Sequence, residues 1–263
     1  MMHELNILQD KLLDMLAFFH DYCISNNLVY YTLGGTTLGA IRHQGFIPWD
    51  DDVDVGMPRK DYEKLLKIFP QNNQKYIIES TNSKDQHFCY SFAKLYNTET
   101  TLIENVKNPI KRGIYIDIFP LDGAGNTEEE AKKAYAPIAR RKILLNLRTI
   151  KINSNRAFHK NVLLKMVQII PNSIINEKKL CQKIDKLSKR YDYDSSTIVG
   201  NYSGAWGIKE IMSKSYFGTP TLHKFETIEV FVQENYDAYL THQYGDWRKL
   251  PPKEKQVSHH DYQ

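Results

Sequence analysis

The sequence predicts an α/β protein of the α+β kind: a mixed β-sheet core with flanking helices and a helical middle and C-terminal extension. Three observations carry that expectation. Short β-branched and aromatic runs alternate with helical periodicity as far as Asp122-Gly123. Beyond that point the pattern turns mostly helical. A composition of 41% hydrophobic and 12% aromatic residues among 263, with only 13 Gly and 10 Pro, supports one substantial core and excludes a disordered or fibrous chain.

Leu5, Leu8, Leu12, Leu16, Phe19 and Cys23 recur at the helical period and define a first helix that stops at Asn26-Asn27. Leu28–Leu33 reads as a strand entering a tight turn at Gly34-Gly35, and Thr36–Arg42 as a short helix with a hydroxyl N-cap. Asp50–Val55 opens a second strand, and Asp61–Phe69 is a helix closed by Pro70. Gln74–Ser80, His87–Tyr96, Thr100–Asn105 and Gly113–Phe119 are further strands. Thr127-Glu-Glu-Glu130 has the form of a capping box, with helices expected through about residue 150 and over 158–170 and 177–190. Residues 1–123 are expected to form the catalytic core, 124–195 a basic helical segment, and 196–263 an aromatic-rich region packing on the core, all in one integrated body.

The net charge of +4 hides a lopsided distribution. Residues 1–57 carry eight acids and two bases, whereas residues 131–176 carry ten bases and no acid. Cys23, Cys89 and Cys181 are too scattered for a disulfide framework or a metal motif. The N-terminus reads as neither signal peptide nor anchor, and no run of about 18 apolar residues occurs. The chain is expected in the cytoplasm, peripheral at the inner face of the membrane.

Asp50-Asp51-Asp52-Val53-Asp54 is the sharpest motif. Residues two apart on a strand share a face, so Asp52 and Asp54, with Asp50, project together while Val53 and Val55 face the core. Clustered carboxylates repel one another unless a cation neutralises them, and oxygen ligands select Mg²⁺ or Mn²⁺. An acidic surface turn is the plainer reading of such a run. Asp117, alone in the apolar Ile114–Phe119, is the next candidate ligand; a hydrogen-bonded core aspartate is its alternative. Upstream, Gly34-Gly35 before a helix start offers backbone N–H groups and a positive dipole end to phosphate, with Thr36, Thr37 and Arg42 as added donors.

These residues resemble a known family. The stretch Leu33–Arg59, LGGTTLGAIRHQGFIPWDDDVDVGMPR, is similar to the signature of the LicD family, and the similarity continues through Phe92–Leu95, Gly113–Gly123, Tyr244-Gly-Asp and Leu250-Pro-Pro. The resemblance implies a nucleotidyltransferase-superfamily fold. It carries the glycine-turn role to Gly34 and Gly35, the D-x-D pair to Asp52 and Asp54, and the third acid to Asp117. It implies transfer of phosphocholine from a CDP-linked donor, CDP-choline, to a sugar of a teichoic acid, lipopolysaccharide or capsule precursor. More distant fukutin-related proteins move ribitol phosphate, and their zinc-binding insertion has no counterpart in the three cysteines.

On that basis Mg²⁺ (or Mn²⁺) would sit on Asp52, Asp54 and Asp117 with Asp50, while Gly34, Gly35, Thr36, Arg42 and Lys94 would hold phosphate oxygens. Trp49, Tyr202, Trp206 and Trp247 are candidates to face a quaternary ammonium. His259-His260 reads as a frayed tail. The bases of 131–176 either face an anionic membrane bearing a lipid-linked glycan acceptor or form a solvated helix face; nothing indicates nucleic acid. Transfer of glycerol phosphate, ribitol phosphate or a nucleotidyl group, a D-x-D glycosyltransferase, and a non-catalytic adaptor remain the competing functions.

Overall fold

In the computed structural model, residues 2–70, 73–103, 107, 110–153 and 156–258 are described. His259-His260 and the end of the strand expected at Thr100–Asn105 lie outside them.

The fold is α+β, with a curled mixed sheet between helices. Helix α1 (Met2–Ser25) buries Leu12, Met15, Leu16, Phe19 and Cys23, the stripe its periodicity predicts. Strand β1 (Tyr31–Thr32) is shorter than the apolar run suggested and leads directly into α2 (Gly34–Arg42). Strand β2 (Asp54–Pro58) runs into α3 (Arg59–Ile68). Next come β3 (Tyr76–Glu79), β4 (Ala93–Asn97), the small ribbon of β5 (Leu102–Ile103) and β6 (Lys111–Arg112), and the long β7 (Tyr115–Gly123).

The sheet order is β1-β2-β7-β4-β3. Strand β2 pairs parallel to β7, and β1, β4 and β3 join antiparallel. Alternation along β7 creates two different faces. Ile116 and Ile118 point toward α1 and α3, where they join Val55, Met57, Tyr62 and Leu65 in the main core. Phe119 and Leu121 point the other way into a second core with Leu33, Leu38, Val199, Tyr239, Leu240 and Trp247. Each fully buried large side chain of this kind contributes about 1.5–3 kcal/mol relative to exposure.

The middle of the chain is helical: α4 (Glu128–Thr149), α5 (Phe158–Gln168) and α6 (Glu177–Ser188). Helix α4 starts with the expected capping box, Thr127 Oγ1 accepting the Glu130 N–H and Glu130 Oε2 accepting the Thr127 N–H, each at 3.2 Å. Ala131, Ala134 and Ile138 of α4 meet Ile184 of α6 in a third apolar cluster. Arg59 ties this layer to the sheet through Asp122 of β7 at 2.6 Å and Asp185 of α6 at 2.8 Å.

The C-terminal region then returns to the sheet. Strand β8 (Ile198–Asn201) pairs with Leu121–Gly123 of β7, and β9 (Ile211–Ser213) pairs with β8. A hairpin of β10 (Thr221–Phe225) and β11 (Ile228–Val232) packs on the main core, and α7 (Tyr236–Tyr244) on the second.

Candidate active site

Register builds the acidic centre. Asp54 of β2 lies directly beside Asp117 of β7, which in turn lies beside Lys94 of β4. Side chains paired across a sheet share a face, so these three sit together on the side of the second core. Preceding β2, the oxygens of Asp50, Asp51 and Asp52 come within 4.8 Å of one another. Gln9 of α1 holds that loop by donating to the Asp50 carbonyl at 2.8 Å.

Helix α2 begins against these carboxylates. Gly34 has φ +50°, a conformation that disfavours a side chain, and a Cβ there would sit 3.9 Å from Asp54 Oδ2 and 3.6 Å from Tyr244 Oη. At Gly35 a Cβ would come within 2.8 Å of Asp50 Oδ2, so the carboxylate occupies the space a side chain would need. First-turn amides have no carbonyl four residues back. The one at Gly34 donates to Tyr239 Oη at 2.9 Å.

Burial first, then Asp52, Asp117, Asp50 and Glu210, push the Asp54 carboxyl well above the usual carboxylate range. Tyr244 is pushed up by burial, then by Asp50, Asp54 and Asp52. The donor set is therefore all oxygen, mutually repulsive and partly withdrawn from water, which fits a hard divalent cation better than a softer metal.

A cavity of about 1570 Å³ contains the site. Asp50, Asp52, Asp54 and Asp117 line it with Gly34, Gly35 and Arg42, and so do Trp49, Trp206, Tyr244 and Trp247. Trp206 is exposed, meets Tyr244 edge-to-face at 5.7 Å, and takes the Lys209 ammonium over its ring at 5.3 Å.

One expectation needs correction, and four further candidate residues have particular surroundings. Thr36 is not the N-cap; Leu33 is, and Thr36 is buried inside α2 with its hydroxyl accepting the Asp54 N–H at 2.9 Å. It fixes the acid rather than reaching the cavity. Thr37 is equally enclosed, bonded to Thr32 at 3.0 Å.

Lys94 is only 2% exposed; it pairs with Asp117 Oδ1 at 2.8 Å and lies over the Tyr115 ring at 3.3 Å and the Tyr90 ring at 4.4 Å. Its position suits orienting Asp117, not gripping phosphate. Arg42 ends α2, about 12 Å along the axis from Gly34, and donates to the Trp247 carbonyl at 2.8 Å. It borders the cavity away from the glycine turn. Tyr202 is buried with its hydroxyl on the Gly123 carbonyl at 3.1 Å, outside the cavity lining.

The structure adds residues that the sequence did not single out for the site. Asp51 is buried and accepts from the Ser258 hydroxyl. Glu210 lines the cavity, accepts the Trp206 N–H at 2.7 Å, and is pushed up to about 7 by burial. Lys142 also lines it, donating to the carbonyls of Tyr202 at 3.0 Å and Gly204 at 2.5 Å. Its place among ten bases had suggested a membrane-facing or solvated position.

A glycine helix start faces carboxylates on adjacent parallel strands of a mixed sheet, and the family model that matches this part of the chain describes a nucleotidyltransferase domain. The chain belongs to the LicD family and is a transferase of it. The family model LicD/FKTN/FKRP, nucleotidyltransferase domain, matches residues 27–157. The lipopolysaccharide cholinephosphotransferase LicD of Haemophilus influenzae is 32% identical over 268 residues, covering 98% of this chain and 97% of that protein. An uncharacterized protein of Rickettsia prowazekii is 47% identical over 55 residues, 21% of each chain. Mannosyltransferase regulator 4 of Saccharomyces cerevisiae is 27% identical over 135 residues, 48% of this chain but only 11% of that protein.

Proposed function

We propose that the protein transfers phosphocholine from CDP-choline to a hydroxyl of a cell-surface glycan or its precursor. The observation that carries this reading is the cavity joining Asp52, Asp54 and Asp117 at the Gly34-Gly35 helix start to the rings of Trp49, Trp206 and Tyr244. A diphosphate suits the first end, and a quaternary ammonium, which offers no hydrogen-bond donor, suits aromatic faces. The cholinephosphotransferase named among the relatives supports the choice of group.

Asp52, Asp54 and Asp117, with Asp50, would hold Mg²⁺ or Mn²⁺. The metal would supply charge neutralisation at the diphosphate when bound. The protein's own residues do the rest. The first-turn backbone of α2 positions phosphate oxygens, Lys94 orients Asp117, and Thr36 fixes the backbone of Asp54. An aspartate of this group accepts the proton of the acceptor hydroxyl as its oxygen bonds to the choline-bearing phosphorus. The bond from that phosphorus to the bridging oxygen breaks, and CMP leaves.

The test is a donor panel with purified enzyme and a glycan acceptor. CDP-choline is expected to yield a phosphocholine-modified product and CMP, and Asp52→Asn with Asp54→Asn to lower the rate about 10³-fold or more. Product only from CDP-glycerol, CDP-ribitol or a nucleotide sugar would replace the choline assignment. Undiminished surface modification by the double variant would point to an adaptor.

A further inference from the structure

Helix α5 presents its apolar side outward. Phe158, Val162, Met166 and Ile169 recur at steps of four, four and three, and at 100° per residue they fall within about 80° of the helix circumference. Phe158 is 83% exposed, Met166 61% and Ile169 78%. Leu164, on the opposite side, is buried. Leu163 of α5, Ile143 of α4, and Ile150 and Ile174 of the flanking turns are exposed as well. This is the reverse of an ordinary surface helix, whose apolar stripe faces the core.

The charge of this segment has one sign. Lys160 and Lys165 are exposed on α5 itself, Lys151 and Arg156 precede it, and no acid occurs anywhere in residues 131–176. An exposed apolar stripe on a segment whose own charges are all basic complements an anionic lipid surface, where the stripe enters the acyl boundary and the ammonium groups meet phosphate. A cytosolic protein partner would need to bring both an apolar groove and acids to match. Among the described residues no helix is long and apolar enough to cross a membrane, so contact of this kind would lie in the interface plane.

The cavity reaches the same two helices. Its lining extends from the aspartates past Lys142 to Leu145, Arg148 and Thr149 of α4 and to Gln168, the last residue of α5. We propose that α5 seats in the interfacial layer of an anionic membrane, with Phe158, Val162, Met166 and Ile169 inserted. The cavity, whose lining includes Leu145 and Thr149 of α4 and Gln168 of α5, would then lie on the protein side of the docked helices, within reach of an acceptor glycan carried on a lipid. The acceptor part rests on the transferase reading; the docking part does not.

Vesicle flotation of the full chain tests it, using phosphatidylcholine alone and phosphatidylcholine mixed with phosphatidylglycerol. Wild type is expected to float with the mixed vesicles and to be released by salt. Phe158→Ser with Met166→Ser and Ile169→Ser should abolish flotation, and Lys160→Gln with Lys165→Gln should weaken it about 30-fold, roughly fivefold per lysine. All five positions are exposed, so circular dichroism should be unchanged.

The triple variant should still modify a soluble acceptor while losing rate on a vesicle-borne one. Asp52→Asn should float like wild type while losing transfer, which separates a failure of the chemistry from a failure of docking. Absence of wild-type flotation on anionic vesicles, equal flotation of the triple variant, or a wild-type dimer that the triple variant converts to monomer without any lipid binding would overturn the proposal.

Discussion

Burial holds the Glu210 carboxyl near 7 against an ordinary value of 4.5, partly offset by the Trp206 N–H and Lys142. An unfolded chain releases that proton near 4.5 while the folded chain keeps it, so the group's contribution to stability is present below pH 4.5 and lost as pH rises through 7. Glu210→Gln preserves an acceptor for Trp206 but does not titrate. Urea denaturation across this window should show the variant losing less stability than wild type, by about 3 kcal/mol. Parallel curves would show that Glu210 ionises normally. Neither the site environment of Glu210 nor that of Lys142 was legible in the sequence, because both lie in polar stretches whose burial is imposed by distant segments. Asp50–Asp54 and Asp117 were legible because clustered or apolar-flanked carboxylates are costly without a purpose. Thr36 was misread for a local reason. The helix starts two residues earlier, at a glycine whose positive φ no cap rule anticipates.

At the scale of elements, the ten bases of 131–176 show what periodicity leaves open. Arg148 is only 2% exposed and bonds to Glu177 at 2.8 Å, to the carbonyls of Val167 at 3.0 Å and Ile170 at 2.5 Å, and to Asn172 at 2.5 Å. One guanidinium thus joins α4 to the end of α5 and the start of α6. Arg148→Met leaves Glu177 and several carbonyls without their charged donor and should cost about 3–5 kcal/mol in a denaturation experiment, far beyond a surface ion pair. Lys132→Gln, whose partner Glu128 is equally exposed, should change stability by less than about 0.5 kcal/mol. Spacing alone gives both residues the same helix and the same charge. The capping box at Thr127 was readable because all its parts lie within four residues; the split of bases between interior and surface was not.

Across the whole molecule, the acids of residues 1–57 and the bases of 131–176 occupy different parts of one cavity-bearing body. The sheet was broadly legible, since β7 and its neighbours advertise themselves by alternation. Its order was not, because β8 reaches β7 from far along the chain. If the aspartates take up Mg²⁺ as proposed, the ion links to global stability. At a hundred times its dissociation constant it adds about 2.7 kcal/mol, or about 5–10 °C in Tm. Thermal melts with Mg²⁺ and with chelator should differ by that amount for wild type and converge for Asp52→Asn with Asp54→Asn. Identical wild-type melts would argue against a resident cation.

The bond from the Gly34 amide to Tyr239 Oη spans 205 positions of sequence. During synthesis the glycine turn and the aspartates leave the ribosome long before Tyr239, Tyr244 and Trp247 do. A nascent chain therefore carries the carboxylates before their wall exists, and the pocket is complete only after Trp247 has been made.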